Sequence, residues 1–404
     1  MSKDVVNITL LGSNSGNNLG DAAILSSILD TFSKALSNVH FFVPTTKPSF
    51  IRENYSSKYS VEPLNVMPWT GSVRLLGVPT IRAILRSKLV LICDGIIFGK
   101  KFFNPAFNFL VTLVGLVPFC KKAKADLVCY NCGIGPFPFE ASKKAASYVM
   151  NNSSLVLLRD EDSKKLAEDI GVKREIIVTA DAAFLNPVSS KERGKEILQS
   201  IGINLEKPIL GVNLTSYGGQ WVNSSLSSSQ LFSILREGLQ RFCDERREEE
   251  VQILCFSTHP MDAPLLKELA LSLGAFYIGN EFYLSHDLQA VLSFCSMFLG
   301  CRYHSVILAS SVGVPVTALV YAPKVRSYLR QLSTPELALE FSGISAVGLA
   351  NHLGLVWGKR EEVREKQQAV VKELAKASLR GRDLTLSLLD RERETLKKSL
   401  STAV

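Results

Sequence analysis

The chain has 404 residues, 46% of them hydrophobic and 21% charged, a balance that describes a folded globular protein and excludes a disordered one. Its length exceeds one ordinary core and points to two domains. The formal net charge of +8 favours anionic partners such as phosphorylated metabolites or anionic lipid surfaces, whereas nucleic acid is set aside, because no RNA- or DNA-binding signature and no stripe of interleaved basic and aromatic residues occurs.

The N-terminus, "MSKDVVNITLLGSNSG", lacks a signal-peptide layout, and its short apolar run reads as a strand. The Gly/Asn-rich loop of "LLGSNSGNNLGDAAIL" then leads into a helix that begins near Asp21. This loop is neither G-x-G-x-x-G nor a P-loop, so dinucleotide and ATP binding are not expected. Asn14, Asn17 and Asn18 offer amide donors and acceptors suited to sugar hydroxyls. Asp21 either N-caps the helix or directs its carboxylate at a substrate hydroxyl.

The next strands in the first half are "HFFVP", "LVLICDG", "DLVCYNCG", "SLVLLRD" and "EIIVTAD", separated by helical patterns. Such alternation predicts parallel sheets covered by helices. The strands end in Gly, Asn, Asp or Arg, and open α/β sheets build their sites at those carboxyl ends. Asp94 and Arg159 both stand at strand ends; the acids at 160–162 complement a helix N-terminus without further function. The greasiest run, "AFNFLVTLVGLVPF" (106–119), is shorter than the roughly 20 residues needed to span a bilayer. It is therefore expected to be a buried helix in a cytoplasmic protein, with peripheral membrane contact still compatible. "CYNC" (129–132) has no second pair at zinc spacing, and no metal site is expected.

Between 186 and 207 the composition turns polar, which places a boundary between an N-terminal Rossmann-like domain (1–187) and a C-terminal one (188–404). The second series of strands runs "ILGVNLTS", "VQILCFST", "AFYIG", "MFLG" and "PVTALVY", and 359–404 is a charged, helix-prone tail read as solvated helix faces. Two Rossmann-like domains facing a cleft is the expected α/β architecture.

The segment "GCRYHSVILASSVGVPVTALVYAPKV" (300–325) carries the sharpest signal. Arg302 and His304 fall on a strand-to-helix turn, where unpaired N–H groups and the helix dipole favour an anion. An Arg fork adds bidentate recognition of carboxylate or phosphate, and a His beside it can bind the anion or transfer a proton. The plainer alternative is an Arg302 paired with a surface acid and a His304 that caps the helix. Lys324 emerges at the same sheet edge if the two flanking strands are parallel. In "CFSTHPMDAPLL", His259 and Asp262 occupy a further strand-to-helix connection.

Taken in order, "NLGDAAIL" (18–25), "GIGPF" (133–137), "LLRDEDSKKL" (157–166), "VTADAAF" (178–184) and "RYHSVILASSVGVPVTALVYAPK" (302–324) resemble the polysaccharide pyruvyl transferase family. Where the family has a Gly-rich run after a main strand, this chain reads "CDGIIFGK". The resemblance implies a fold similar to GT-B glycosyltransferases and a transferase that places the enolpyruvyl group of phosphoenolpyruvate on a sugar as a ketal. It implies no cofactor, only the phosphoenolpyruvate donor, and a sugar or lipid-linked glycan acceptor. The R-x-H motif falls on Arg302 and His304, here the catalytic candidates together with Asp21 as base. Lys324, Asn18, Gly20, Arg159 and His259 are the substrate-binding candidates, with the acceptor expected on the N-terminal domain and the donor on the C-terminal one. A sugar-nucleotide glycosyltransferase and a non-catalytic carbohydrate- or phosphate-binding relative are the alternatives.

Overall fold

The computed structural model describes residues 5–100, 102–104, 108–216 and 227–401; the first residues of the greasy run at 106–107 lie outside them. The chain divides into two compact units, the first made of Met1–Gly16, Asp21–Asn186 and Leu374–Val404, the second of Asn17–Gly20 and Pro187–Glu373.

In the first unit the strands are β1 (Val6–Leu11), β2 (Val39–Thr45), β3 (Val61–Asn65), a small hairpin of β4 (Ser72–Val73) and β5 (Leu76–Gly77), β6 (Leu89–Ile92), β7 (Asp126–Cys132), β8 (Leu155–Leu158) and β9 (Ile176–Val178). The helices are α1 (Leu19–Ala35), α2 (Pro48–Tyr55), α3 (Val78–Ile84), α4 (Phe109–Ala123), α5 (Glu140–Asn151) and α6 (Glu161–Asp169). Seven strands form one sheet in the order β3-β2-β1-β6-β7-β8-β9, every pair parallel. Parallel strands covered on both faces read as continuous apolar runs, which is why "LVLI" of β6 is wholly buried. β3 escapes sequence reading because Pro63 interrupts it; at the sheet edge its missing N–H is tolerated.

The second unit contains α7 (Lys191–Ser200), β10 (Ile209–Val212), α8 (Ser228–Asp244), β11 (Gln252–Ser257), α9 (Ala263–Leu273), β12 (Phe276–Gly279), α10 (Ser285–Leu292), β13 (Met297–Gly300), α11 (Tyr303–Ser311), β14 (Val316–Val320), α12 (Pro323–Gln331), β15 (Ala338–Glu340) and α13 (Ala346–Gly358). Its sheet is also parallel, in the order β12-β11-β10-β13-β14-β15. Each sheet thus starts from a central strand, grows one way, then reverses, so each has one switch point: between β1 and β6, and between β10 and β13. At such points the connections diverge and leave a crevice at the carboxyl ends of the strands.

Two expectations need correction. The greasy helix is not buried all round: α4 packs Leu110, Leu113, Leu116, Val117 and Cys120 inward, while Val111 and Pro118 are exposed. The charged tail does not belong wholly to the second domain as expected. It forms one helix, α14 (Arg360–Ser401), whose residues from Leu374 onward belong to the first unit. Buried Asn131 explains this attachment: its Nδ2 donates to the Ser378 carbonyl (2.9 Å) and to Ser378 Oγ (3.2 Å), and its Oδ1 accepts from Thr179 Oγ1 (2.8 Å). Gly381 is required there, since a side-chain carbon at that position would overlap the Asn131 amide. Earlier in α14, within the second unit, buried Gln367 bonds both the N–H (2.8 Å) and the C=O (2.9 Å) of Val316. Among the described residues no helix is long and apolar enough to cross a membrane.

Candidate functional site

In the second unit the switch point is closed by hydrogen bonds. Asn213, just past β10 and fully buried, donates to the Phe256 carbonyl (2.8 Å). Its Oδ1 accepts from the Arg302 backbone N–H and from Ser305 Oγ, each at 2.9 Å. This side chain pins the turn after β13, so Arg302 becomes the N-cap residue of α11 and His304 falls in its first turn. β13 and β14 are parallel neighbours, so Lys324, in the first turn of α12, leaves the same sheet edge. Its Nζ stands 5.8 Å from the centroid of the Tyr303 ring, and that ring lies 5.2 Å from the ring of His304.

Arg302 has a partner that the sequence reading named but did not pair with it. Its guanidinium forks onto Asp262, with Nε donating to Oδ2 and Nη2 donating to Oδ1 at 3.0 Å. Asp262 is fully buried, and its Oδ1 also accepts from the Ser216 N–H (3.0 Å) and Thr215 Oγ1 (3.2 Å). Burial works against the Arg302 charge, but the Asp262 hydrogen bond and charge outweigh it and hold the guanidinium more firmly protonated. The pair fixes the orientation of the fork. His259, three residues before Asp262, is pushed below the usual histidine range by burial and by the Arg302 charge, with Asp262 opposing. It is therefore neutral near pH 7, and its Nδ1 accepts the Met261 N–H at 3.1 Å.

Residues 17–20 join this unit. The Leu19 N–H donates to the Thr258 carbonyl (2.9 Å), and Asn280 Nδ2 donates to the Asn17 carbonyl (2.9 Å). Asn18 Oδ1 accepts the Gly20 N–H at 3.0 Å and so caps the helix; Asp21 is not the cap but lies in the first turn of α1. Gly20 lies against His304, and a side-chain carbon on it would overlap the imidazole ring. The Thr258 hydroxyl, buried beside the Leu19 contact, has no hydrogen-bond partner among the described residues.

The first unit builds its switch point in the same way with opposite charge. Asp94, just past β6, takes φ +56°, a left-handed conformation that Asp tolerates better than most residues, and its Oδ2 accepts the Ser13 N–H at 2.7 Å. Burial first, then the charges of Asp21 and Asp181, push its carboxyl well above the usual carboxylate range; Ser13 and Arg159 pull the other way. Arg159 Nη1 is bonded to buried Asp181 at 2.9 Å, and its Nε reaches Asp160 at 3.4 Å. Gly133 leaves room for this guanidinium. The motifs "GIGPF", "LLRDED" and "VTADAAF" therefore meet around one ion pair. Ser13, Asn14, Thr45, Thr46, Arg74 and Phe109 line a small open cleft of about 60 Å³ in this unit.

The raised Asp94 carboxyl has a sign that can be measured. The folded chain keeps a proton that the unfolded chain loses above about pH 4. Stability should therefore fall as pH rises from there toward the folded value, at up to about 1.4 kcal/mol per pH unit. Asp94→Asn keeps an acceptor for Ser13 and is expected to remove this contribution; urea unfolding at pH 5 and pH 8 measures it. Equal pH dependence in wild type and variant would contradict a raised carboxyl.

The structure thus gathers Arg302, His304, Lys324, His259, Asn18 and Gly20 in the second unit, and Asp21 and Arg159 in the first. Sequence reading missed the partnership of Asp262, the bridging role of Asn213 and the burial of Asp94. "CYNC" is part of buried β7, where a shared thiol hydrogen bond lowers the Cys129 pKa and raises that of Cys132.

The family model described as polysaccharide pyruvyl transferase matches residues 18–323. The amylovoran biosynthesis protein AmsJ of Erwinia amylovora is 21% identical over 438 residues, covering 95% of this chain and 99% of that protein. Among solved structures, UDP-GlcNAc 2-epimerase from Neisseria meningitidis bound to UDP-GlcNAc aligns with a TM-score of 0.61 at 13% identity, covering 96% of this chain and 100% of that one. The UDP-GlcNAc 2-epimerase from Methanocaldococcus jannaschii gives 0.59 at 15% identity, covering 88% and 94%. At these identities the likeness carries the fold alone, two Rossmann-like units of the GT-B-like class.

Proposed function

Because the chain belongs to the polysaccharide pyruvyl transferase family, we propose that it transfers the enolpyruvyl group of phosphoenolpyruvate to a sugar of a glycan or glycan precursor, forming a pyruvate ketal and releasing phosphate. The observation that supports this most is the set of cationic and ionisable groups at one sheet edge of the second unit. Arg302 and His304 start α11, and Lys324 starts α12 from the adjacent parallel strand.

Phosphoenolpyruvate carries a carboxylate and a phosphate, so it needs more than one cation. The Arg302 fork, the Lys324 ammonium and the N–H groups at the start of α11 are the proposed holders. In the reaction, two sugar hydroxyl oxygens bond to the enol carbon and the C–O bond to phosphate breaks. One hydroxyl proton is balanced by protonation of the methylene to a methyl, the other by the released phosphate. His304 is the proposed donor to the methylene. Asp21 is the proposed acceptor of a hydroxyl proton, and Asp94 lies within electrostatic reach of both Asp21 and Arg159. His259, Asn18 and Gly20 are assigned to shaping the donor pocket, and no cofactor is invoked.

The test is to incubate the purified chain with phosphoenolpyruvate and a panel of sugars and lipid-linked sugars. Phosphate release that depends on the acceptor, with one ketal formed per phosphate, is the expected result. Release of UDP or GDP from sugar nucleotides without phosphoenolpyruvate turnover would instead assign a glycosyltransferase. Ligand-induced stabilisation with no turnover of either donor would assign a binding protein.

A further inference from the structure

Between Glu62 and Asp126 the chain has nine Lys or Arg residues and a single acid, Asp94, and Asp94 is buried. With 46 basic and 38 acidic residues in all, the remainder holds 37 of each. The whole net charge of +8 therefore comes from one segment, the part of the first unit that forms the β4–β5 hairpin, α3, β6 and α4.

The same segment exposes apolar side chains in an organised way. α4 exposes Val111 and Pro118, two turns apart on one side, with half-buried Val114 and Phe119 packed against the core, and it ends in the exposed Lys121 and Lys122. Trp69 is 74% exposed just before the hairpin, and Phe103 is 71% exposed just before α4. These elements are contiguous. α4 packs against both α3 and β5, the Arg74 guanidinium lies 5.3 Å from the Phe109 ring, and Phe103 stacks edge-on against Phe139 at 5.0 Å.

We propose that this face of the first unit docks on an anionic membrane surface, with α4 lying in the plane of the interface. The pattern is that of an interfacial element: exposed Val111 and Pro118 on a helix that ends in lysines and is too short to span, with exposed Trp69 and Phe103 in the same segment. Charge selects the occupant. A second copy would bring the same cationic face against itself, which is repulsive, whereas anionic headgroups complement it. The inference concerns binding alone and stands apart from the proposed chemistry.

The experiment is co-sedimentation of the full chain with phosphatidylglycerol-rich vesicles and with pure phosphatidylcholine vesicles, at low and high salt. Binding to the anionic vesicles that weakens with salt is expected. Each cation at the surface contributes about fivefold in partitioning, so Lys121→Gln with Lys122→Gln should lower it about thirtyfold. Lys191→Gln with Lys195→Gln, on exposed α7 positions, changes net charge equally and should leave partitioning nearly unchanged. Val111→Asp should weaken the salt-resistant part. Failure of the wild type to bind anionic vesicles at low salt overturns the proposal, as does an equal loss from the α7 substitutions. Self-association in sedimentation velocity that Val111→Asp abolishes, without vesicle binding, would assign the face to a second copy instead.

Discussion

Replacing Arg302 by alanine should lower turnover by about 10²–10³-fold and also cost about 3–5 kcal/mol of stability, because it strands a buried carboxylate. Asp262 is fully buried and its fork partner is Arg302 itself. The two effects can be separated. Neutralising both members, Arg302→Met with Asp262→Asn, removes the charge and its stranded partner together and keeps an acceptor for Ser216 and Thr215. The double variant should thus recover most of the stability lost by Arg302→Ala and none of its turnover. Denaturant unfolding beside the phosphate-release assay measures both. If the double variant is as unstable as the single one, the ion pair is not what ties Arg302 to the fold.

Gly20→Ala should lower turnover by about 10²-fold or more while costing about 1–3 kcal/mol, the range of an overpacked site. The added methyl falls where the His304 ring lies, so the imidazole has to move from the first turn of α11. A displacement of this size at a proton donor is enough for such a loss. The partner substitution decides between displacement and general disruption. In a His304→Ala background the methyl no longer meets the ring, so Gly20→Ala should cost much less stability there than in the wild type. The coupling between the two positions is read from a double-mutant cycle. Independent, additive costs would show that the glycine serves the backbone and not the ring.

These two contacts mark the limit of what the chain order discloses. "LVLI" and "VTALV" were legible as strands because burial on both faces writes itself as an unbroken apolar run. The turn at Arg302 and His304 was legible because two ionisable residues interrupt such a run where a strand passes into a helix. The pairing of Arg302 with Asp262 was not legible, although both residues were in view. They lie 40 positions apart at the ends of strands β13 and β11, and only the strand order β11-β10-β13 brings those ends to one crevice. Asn213 was passed over for a similar reason. An amide after a strand suggests a turn, and its bridging role depends on a neighbour 89 residues later. Asp94 was visible as a polar strand end, but its burial and its company with Asp21 and Asp181 come from the packing of the first unit. The helix at 109–123 was recognised by its greasiness, and the same property concealed its exposed side, since period cannot separate an inward from an outward apolar stripe when both are apolar.

The attachment of α14 also sets an order of events during synthesis. Asn131 finds its partner Ser378 only 247 residues later in the chain. At a translation rate of about 5–20 residues per second, that contact waits about 12–50 s after the strand bearing Asn131 has been made. The unit that leaves the ribosome first is therefore the one completed last. Throughout that interval the Asn131 amide lacks its Ser378 partner and is open to water, to chaperones and to neighbouring nascent chains.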